Sequence, residues 1–301
     1  MAVDQRTTAS VPPRSATVLP VAAVGVTLLF WASAFVAVRH VGVEISPGPL
    51  ALGRLLVGSL VLGVALLTQG WRRPSGADWR LLAVCGLLWF GAYNVALNAA
   101  EQRVDAGTAA MLVNVGPLMI AVLAGLVLGE GFPGQLIAGS LVAFTGVVVI
   151  AAATSSGQFE AVGVLLAVVA AAAYAIGLVA QKPVLARLPA LQVTWIACTV
   201  GALGCLPFAP ALVRDAAQAQ PSTLAWLAYL GVFPTALAFT TWAYALHRTS
   251  AGRMGNTTYL VPPVTILLGW VALGEAPVPL AYAGGALCLL GVWWSRRRRR
   301  G

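Results

Sequence analysis

Long apolar runs separated by short polar clusters are the dominant pattern of this chain. Most of these runs extend over 17 to 25 residues, the length that an α-helix needs to cross a hydrocarbon core of about 30 Å. Lipid offers no partner to a free backbone N–H or C=O group, so segments of this kind must be helical. The alternating pattern of a transmembrane β-barrel is absent from the sequence. We therefore predict an all-α integral membrane protein.

Ten runs are predicted to span the membrane, and the stretches between them are too short to hold a soluble domain. Proline or glycine precedes several of them, where a missing N–H group costs nothing. The predicted spans are 18–37, 48–68, 81–99, 106–129, 134–153, 161–180, 190–209, 223–244, 254–273 and 280–295. Residues 1–17 are predicted to be a disordered tail and residues 296–301 a polybasic tail that contacts anionic lipid.

The second half of the chain repeats the first at an offset of 145 residues. From Leu82 to Val147, 16 of 66 positions are identical to the position 145 residues later, where this composition gives roughly six identities by chance. The match includes a proline inside one span and a Gly-Glu pair at its end. Residues 161–180 match the first span only weakly. We therefore predict two five-helix repeats, residues 18–153 and 161–295.

Positive charges assign an orientation to these spans. Lys and Arg are retained on the cytoplasmic side of a membrane, and with the N-terminus inside, cytoplasmic segments hold 14 of the 18 basic residues against three outside. Both termini and both tails are therefore predicted in the cytoplasm. An offset of five spans, an odd number, makes equivalent segments face opposite sides. The repeats are thus predicted to be inverted, as in many secondary transporters that bind substrate near the midplane.

Arg54 is the one basic residue predicted inside a span. One interpretation is that its side chain extends to the outer interface or holds carbonyl groups of a neighbouring helix. The other is that it supplies the counter-charge for a substrate carboxylate or phosphate in a vestibule that opens outward.

No acidic residue is predicted at the midplane, so the sequence does not indicate a deep carboxylate relay for protons. Glu130 and Glu275 occupy equivalent positions in the two repeats, directly after a predicted span. Two roles fit this position. The carboxylates can accept hydrogen bonds from N–H groups at the start of the next helix, or they can serve in gating or in coupling to a proton.

Polar and aromatic side chains inside the predicted spans indicate a path for a substrate. Any one of them alone is more typical of helix-to-helix hydrogen bonding or of an interfacial aromatic residue, but together they favour a mildly polar cavity lined by aromatic rings. The candidate substrate-binding residues are Trp31, Ser33, Arg54, Tyr93, Asn94, Asn114, Tyr174, Trp242, Asn256 and Tyr259. Since Asn114 and Tyr259 are equivalent under the offset, both are expected to face the axis between the repeats.

Pro117 and Pro262, which are also equivalent, are the candidate hinges. A proline inside a helix lacks an N–H group and clashes with the preceding turn, so each is expected to free a carbonyl group, near Val113 or Thr258, and to kink its helix. A kink that lets half a helix swing would serve alternating access, although membrane helices also tolerate proline without such a role.

Several kinds of chemistry find no support in the sequence. The single lysine, Lys182, has no phosphate-binding loop around it, and the two histidines, His40 and His247, have neither metal-binding nor catalytic spacing. The four cysteines lie in apolar runs without a C-x-x-C motif. No cofactor, metal or nucleic-acid partner is therefore expected, and the cytoplasmic segments account for the net charge of +9.

The duplicated unit, the W-A-S-A-F motif at Trp31–Phe35, the early Arg54 of the second span and the L-G-E ends at 128–130 and 273–275 resemble the EamA family of the drug/metabolite transporter superfamily. The resemblance extends over nearly the whole chain outside the tails. It implies ten helices in inverted repeats and a multi-pass carrier of the plasma membrane that exports amino acids, metabolites or toxic compounds. The preference for Arg over Lys is typical of a GC-rich bacterial genome.

The sequence thus predicts a secondary active transporter that exports a small, amino-acid-like metabolite by alternating access. A carrier for drugs or toxic compounds is the nearest alternative. An intramembrane enzyme acting on lipid would need Asp, His or Ser residues clustered at one depth, which the sequence does not provide, and a transport-inactive sensor would not need the polar path. The expected partners are a small-molecule substrate and membrane lipid, with a coupling proton and the oligomeric state left open.

Overall fold

The protein is described by a computed structural model that covers residues 15–103, 112–154, 160–273 and 279–297. All regular elements of these residues are helical. The α-helices of the first half are α1 (Ser15–Val41), α2 (Pro47–Leu66), α3 (Gly76–Val84), α4 (Tyr93–Glu101), α5 (Gly116–Val127) and α6 (Gly134–Thr154). Those of the second half are α7 (Ala161–Leu185), α8 (Ala190–Gly204), α9 (Ala209–Gln218), α10 (Pro221–Leu230), α11 (Ala238–His247), α12 (Ala251–Asn256), α13 (Val261–Leu273) and α14 (Pro279–Arg296).

Within the described residues, six stretches are long and apolar enough to cross a membrane. They are Val18–Val41, Pro47–Leu66, Gly76–Glu101, Gly134–Ala153, Ala161–Leu185 and Pro221–His247. A seventh candidate is α8 together with Leu206–Gln218, two helical pieces that meet at an angle of 52°, while α5 is a shorter apolar helix.

The bend after α8 replaces the continuous span that the sequence predicted over 190–209. The helix ends at Gly204, a 3₁₀ turn covers Leu206–Phe208, and α9 follows in a new direction. Pro207 and Pro210 cannot donate a backbone hydrogen bond, which prevents the first helix from continuing. Helix α9 was not predicted because its polar residues, such as Arg214, were assigned to a loop.

Helical segments of unusual pitch recur at matching places in the two halves. A π-helical segment, Cys85–Ala92, joins α3 to α4, and another, Gly231–Leu237, joins α10 to α11. The offset of 145 carries the start of α4 onto the start of α11, and the start of α5 onto the start of α13. The two-repeat architecture predicted from the sequence is therefore confirmed. The π turns were not predicted from the sequence, although such turns often lie at functional sites.

Helices α6 and α14 pack antiparallel through glycines that are equivalent under the same offset. A Cβ atom added at Gly146 would lie 2.5 Å from the carbonyl oxygen of Gly284, and one added at Gly139 would lie 2.6 Å from that of Gly291. The offset exchanges these two contacts. Only residues without a side chain permit backbones to approach so closely, and the exchange indicates a pseudo-two-fold axis between the two helices.

Candidate functional site

A cavity of about 100 Å³ lies between the two repeats. Helices α1 and α4 supply most of its wall, and α2, α7, α11, α13, the π-helical segment before α4 and the breaks before the two prolines complete it. The lining residues are Trp31, Ala34, Phe35, Val38, Arg54, Trp89, Tyr93, Asn94, Leu97, Asn98, Glu101, Val113, Asn114, Tyr174, Phe239, Thr258 and Val261.

A second cavity of about 400 Å³ continues from the first toward one end of the bundle. The two cavities share Phe35, Val38, Asn98 and Glu101. The outer one reaches the connection between α1 and α2, where Val43 is 83% exposed. We call this end of the bundle the open end, and the opposite end, where α7 and α11 terminate, the closed end.

Arg54 places a positive charge in the wall of the inner cavity. It lies on α2, seven residues after Pro47, and is only 7% exposed. Its Nε donates a hydrogen bond of 3.1 Å to Thr235 Oγ1, which itself donates to the carbonyl oxygen of Leu230. Among the described residues the guanidinium has no other hydrogen-bond partner and no ion pair. Its two terminal nitrogens are therefore available to an anionic group in the cavity.

Helix α4 contributes a polar face. Tyr93, Asn94, Leu97, Asn98 and Glu101 all line the inner cavity, and their spacing places them on one side of a helix. Asn94 Nδ2 donates to the carbonyl oxygen of Phe90 at 2.7 Å, within the π-helical segment, and Asn98 Nδ2 donates to that of Pro47 at 3.2 Å. These bonds hold both amide groups in fixed orientations.

Glu101 is a charged residue of the cavity wall that the sequence reasoning did not select. It lines both cavities, the inner one together with Arg54 and the outer one together with Arg39. It was missed because a functional carboxylate was sought at the midplane, whereas Glu101 lies nearer the open end. Its spacing of three residues from Asn98 and eight from Tyr93 was the signal that could have found it.

Aromatic rings close the cavity on the side of the closed end. The ring centroids of Trp31 and Trp242 lie 4.8 Å apart, those of Trp89 and Phe239 lie 5.1 Å apart, and those of Trp89 and Trp242 lie 5.9 Å apart. Three of these rings line the cavity, whereas Trp242 lies beneath them and is 0% exposed. We call these four residues the aromatic floor.

The structure brings six of the ten predicted substrate-binding residues to the cavity and places four elsewhere. The six are Trp31, Arg54, Tyr93, Asn94, Asn114 and Tyr174. Besides Trp242, the other three face different helices: Ser33 shares a hydrogen bond of 2.7 Å with Tyr229, Asn256 bonds to Ser295, and Tyr259 packs beside Phe144.

Tyr259 and its equivalent, Asn114, have different surroundings because their backbones differ. Asn114 lies in a turn and lines the cavity together with Val113, whereas Tyr259 lies in a 3₁₀ segment, Thr257–Leu260, of which only Thr258 lines the cavity. A 3₁₀ helix has about 3.0 residues per turn rather than 3.6, so it changes which residue faces a given direction.

Both candidate hinge prolines stand at a helix start. Pro117 is the second residue of α5 and Pro262 the second residue of α13. Neither can donate a hydrogen bond to the carbonyl four residues earlier, that of Val113 or Thr258. Both of those residues line the cavity, so each helix is interrupted where it meets the cavity.

Glu130 joins the two repeats at the closed end. Its carboxylate accepts hydrogen bonds from the backbone N–H groups of Ala251, at 2.6 Å, and Gly252, at 3.1 Å. These N–H groups belong to the first turn of α12, where helix dipole and free donors favour a carboxylate. The partner is thus the start of a helix in the other repeat and not that of the next helix. Its equivalent, Glu275, lies outside the described residues.

Further polar contacts hold the closed end together. Asp78 forms an ion pair with Arg187 and accepts hydrogen bonds from Ser75. Gln192 accepts a hydrogen bond from the backbone N–H of Arg72 and donates one to its carbonyl oxygen. These contacts join the α2–α3 connection of the first repeat to the start of α8 and the end of α7 in the second.

Three pairs of equivalent positions line the same cavity. Under the offset of 145, Asn94 corresponds to Phe239 and Val113 to Thr258. Helices α1 and α2 correspond to α7 and α8 at an offset of 143, since this offset carries the start of α2 onto the start of α8. The third pair lies on these helices, and is formed by Trp31 and Tyr174. Equivalent residues meet only near a symmetry axis, so the centre of the cavity lies on the pseudo-two-fold axis.

Metal binding has no support in the described part of the chain, which contains no group of three or more His, Cys, Asp or Glu residues that could hold an ion. The cavity offers instead one guanidinium, three amide groups, one carboxylate and an apolar aromatic floor. This combination suits a small solute with a charged head and an apolar body.

Known proteins resemble the chain over nearly its whole length. A family model described as the EamA-like transporter family matches residues 19–152 and 161–297. A "Probable terminal-alkyne amino-acid exporter" of Streptantibioticus cattleyicolor is 41% identical over 91% of this chain and 92% of its own. A "Probable amino-acid metabolite efflux pump" of Salmonella typhimurium is 26% identical over 88% and 91%. A crystal structure of a protein 24% identical to this chain covers 94% of it and 96% of its own chain with a TM-score of 0.76, which shows a shared fold.

Proposed function

Because the chain belongs to the EamA-like transporter family, we propose that it exports a small amino-acid-like metabolite across a bacterial plasma membrane by alternating access. The two relatives named above, one an amino-acid exporter and the other an amino-acid metabolite efflux pump by name, support this class of solute. Their substrates need not be shared, so the choice of solute rests on the cavity itself.

The guanidinium of Arg54 is the observation that carries the proposal. A basic side chain that is nine-tenths buried and has no ion pair among the described residues is stabilised when an anion binds beside it. A carboxylate fits the two terminal nitrogens in a bidentate arrangement. In the same cavity, the carboxyl group of Glu101 can pair with an ammonium group, and the aromatic floor offers an apolar surface to a side chain. An α-amino acid with an apolar side chain satisfies all three.

The arrangement in the membrane follows from charge. We assign ten spans, of which four are built from two or more helical pieces, and place both termini in the cytoplasm because 14 of 18 basic residues then lie inside. The antiparallel packing of α6 and α14 supports inverted repeats. In this orientation the open end faces outward and the closed end faces the cytoplasm, so the structure corresponds to an outward-facing state.

Alternating access then exchanges the conformations of the two repeats. Residues that meet at the pseudo-two-fold axis keep their place in such an exchange. The central substrate site therefore consists of Trp31, Tyr174, Asn94 and Phe239, with Val113 and Thr258 where the helices are interrupted. Arg54 and Glu101 lie on the outward side of this site.

Counterflow in proteoliposomes tests the proposal. The full chain is reconstituted with a panel of apolar L-amino acids, including one with a terminal alkyne, and each amino acid is compared with the amine that lacks its carboxylate. We expect flux of the amino acid and little flux of the amine. The Arg54→Gln variant is expected to lose about 10- to 100-fold of this flux, because a charge-assisted hydrogen bond contributes about 1.5–3 kcal/mol.

Arg80→Gln is the matched control, because Arg80 is exposed on α3, away from both cavities. Equal flux of amino acid and amine, or normal flux in the Arg54→Gln variant, would contradict a carboxylate site. Absence of flux for every amino acid in the parent protein would contradict the amino-acid class.

The aromatic floor favours one second candidate, the efflux of aromatic toxic compounds. Stacking against Trp31 and Trp89 would bind such rings, and Arg54 would select those that carry an acidic group rather than a cationic one. Growth of an expressing strain on acidic and basic aromatic toxins separates this candidate from amino-acid export.

A further inference from the structure

Gln181 is a buried amide that the outward-facing structure leaves without a role. It lies on α7, close to the closed end, and its side chain is 0% exposed. Neither Oε1 nor Nε2 has a hydrogen-bond partner among the described residues. A buried amide normally has partners because burial without them is unfavourable. Its neighbourhood in this state therefore does not account for the presence of an amide at this position.

The position of Gln181 on α7 relates it to the cavity. Tyr174 lines the cavity, and Gln181 follows seven residues later. Seven residues make about two helical turns, so the two side chains lie on the same face of α7 about 10 Å apart. Between them, Gly177 packs against Cβ of Trp89 in the aromatic floor. Gln181 thus lies on the continuation of the cavity wall, below the floor.

The register between α1 and α7 shows which residue of α1 is equivalent to Gln181. At the offset of 143, Ala32, Val36, Ala37 and Val41 are identical to Ala175, Val179, Ala180 and Val184, a register that sequence comparison at 145 did not detect. In this register Gln181 corresponds to Val38.

Val38 belongs to both cavities, on the path from the open end to the centre. The residue after it, Arg39, lines the outer cavity and corresponds to Lys182. When the repeats exchange conformations, the face of α7 that holds Gln181 lines a path from the closed end, in the same way as the face of α1 that holds Val38 now lines the path from the open end.

We propose that Gln181 is a substrate-binding residue of the inward-facing cavity, where its amide makes the first polar contact with the solute that enters from the cytoplasm. This inference rests on the proposed function, since it requires alternating access. An amide donates and accepts hydrogen bonds, so it pairs with either charged group of an amino acid. Its missing partners in the outward-facing state are then the solute and water of the other state.

Accessibility to a membrane-impermeant maleimide tests the location. Val38→Cys and Gln181→Cys are compared in the full chain, with the parent protein as the baseline because its four cysteines are buried. We expect Val38→Cys to react in right-side-out vesicles and Gln181→Cys to react in inside-out vesicles only. Adding Asp78→Asn, which breaks the ion pair at the closed end, is expected to increase the reaction of Gln181→Cys several-fold and to decrease that of Val38→Cys.

Substitution by leucine tests the role. Leucine has nearly the volume of glutamine and needs no hydrogen bond, so Gln181→Leu is expected to keep or raise the melting temperature while counterflow falls several-fold. Gln192→Leu is the matched control, because Gln192 is equally buried but has both amide atoms bonded to Arg72. We expect that control to melt at a lower temperature.

The labelling needs no transported solute, so it separates this inference from the proposed function. Absence of flux for every amino acid would count against the proposed substrate class. Absence of label at Gln181→Cys in inside-out vesicles carrying Asp78→Asn would overturn the inference, as would a Gln181→Leu variant with a lowered melting temperature and normal counterflow.

Discussion

Asp78 and Arg187 form an ion pair across the closed end, between the first turn of α3 in one repeat and the second residue after α7 in the other. The Asp78 side chain is almost fully buried, whereas that of Arg187 is half exposed. The pair therefore lies at the edge of the contact between the two repeats at this end. In the alternating access proposed above, it stabilises the outward-facing state as long as both charges are present.

Asp78→Asn is expected to shift the protein toward the inward-facing state. Asparagine keeps an acceptor for the N–H of Ser75 and so preserves the cap of α3, but it loses the charge that pairs with Arg187. Since Arg187 is half exposed, we expect a change of about 1 kcal/mol, equivalent to about a fivefold shift in population. Spin labels at the exposed positions Gln69 and Ala186, read by pulsed electron resonance, measure the separation.

Arg73→Gln is the control for this shift, because it removes a charge from the same connection at an exposed position. An unchanged distance distribution in Asp78→Asn, or the same change in both variants, would show that the ion pair does not hold the closed end.

Glu130→Ala is expected to lower the stability of the protein by about 1–2 kcal/mol. The substitution leaves the N–H groups of Ala251 and Gly252 without their acceptor at the start of α12, and the loss of a helix N-cap has a cost of this size. Glu130→Gln keeps one acceptor oxygen and is expected to have an intermediate effect. Thermal unfolding in detergent measures both.

Glu160→Ala provides the comparison, because Glu160 precedes α7 but makes no capping hydrogen bond there. Its ion pair with Arg103 is half exposed on both sides, so we expect its loss to change stability by less than about 0.5 kcal/mol. If Glu130→Gln instead leaves unfolding unchanged and removes the pH dependence of counterflow, the carboxylate serves in proton coupling.

The cavity could be predicted from the sequence where the helices are regular. Tyr93 and Asn94 were found because they stand inside an apolar run, and Arg54 because it is the one basic residue of a span. Regular α-helical spacing also places Asn98 and Glu101 on the same face of α4 as Tyr93 and Asn94. The complete face was not predicted, because polar residues were expected at the midplane and not along a stripe that extends to the surface.

Where the helices are irregular, the sequence did not specify which residues meet. A π turn adds about one residue to a turn, so the face that lines the cavity after Ala92 is not the one that α-helical spacing from Leu82 would give. The 3₁₀ segment before Pro262 has the opposite effect on Tyr259 and Thr258. Trp242 lies beneath the other rings of the aromatic floor because its partners Trp31 and Trp89 come from other helical segments, a relationship that the pattern of a single helix does not contain.

Gly284→Ala is expected to destabilise the packing of α6 against α14. A Cβ atom at this position would lie 2.7 Å from the carbonyl oxygen of Gly146 and 2.7 Å from Ile150 Cγ1. Both contacts are too short, so the helices must separate, and overpacking of this kind costs about 1–3 kcal/mol. The melting temperature in detergent measures the loss.

The neighbouring Gly285→Ala is the matched control. Its Cβ atom would lie 3.5 Å from Pro263 Cβ, an ordinary contact, and alanine is favoured over glycine in a helix by about 0.5–1 kcal/mol. We expect this variant to melt at the same temperature or higher. Equal losses in the two variants would mean that the seam does not depend on the close approach of Gly284 to Gly146.

Pro117→Ala and Pro262→Ala, singly and together, are expected to slow transport without weakening the fold. Alanine restores an N–H group that can bond to the carbonyl of Val113 or Thr258, so the break beside the cavity can close into continuous helix. The melting temperature should then stay the same or rise, while initial rates of counterflow fall several-fold and most in the double variant. Pro133→Ala, which removes a proline just before α6 and away from the cavity, should change neither quantity. Normal rates in the double variant, with the protein inserted and folded, would show that the interruptions are not hinges and only fix where α5 and α13 begin beside the cavity.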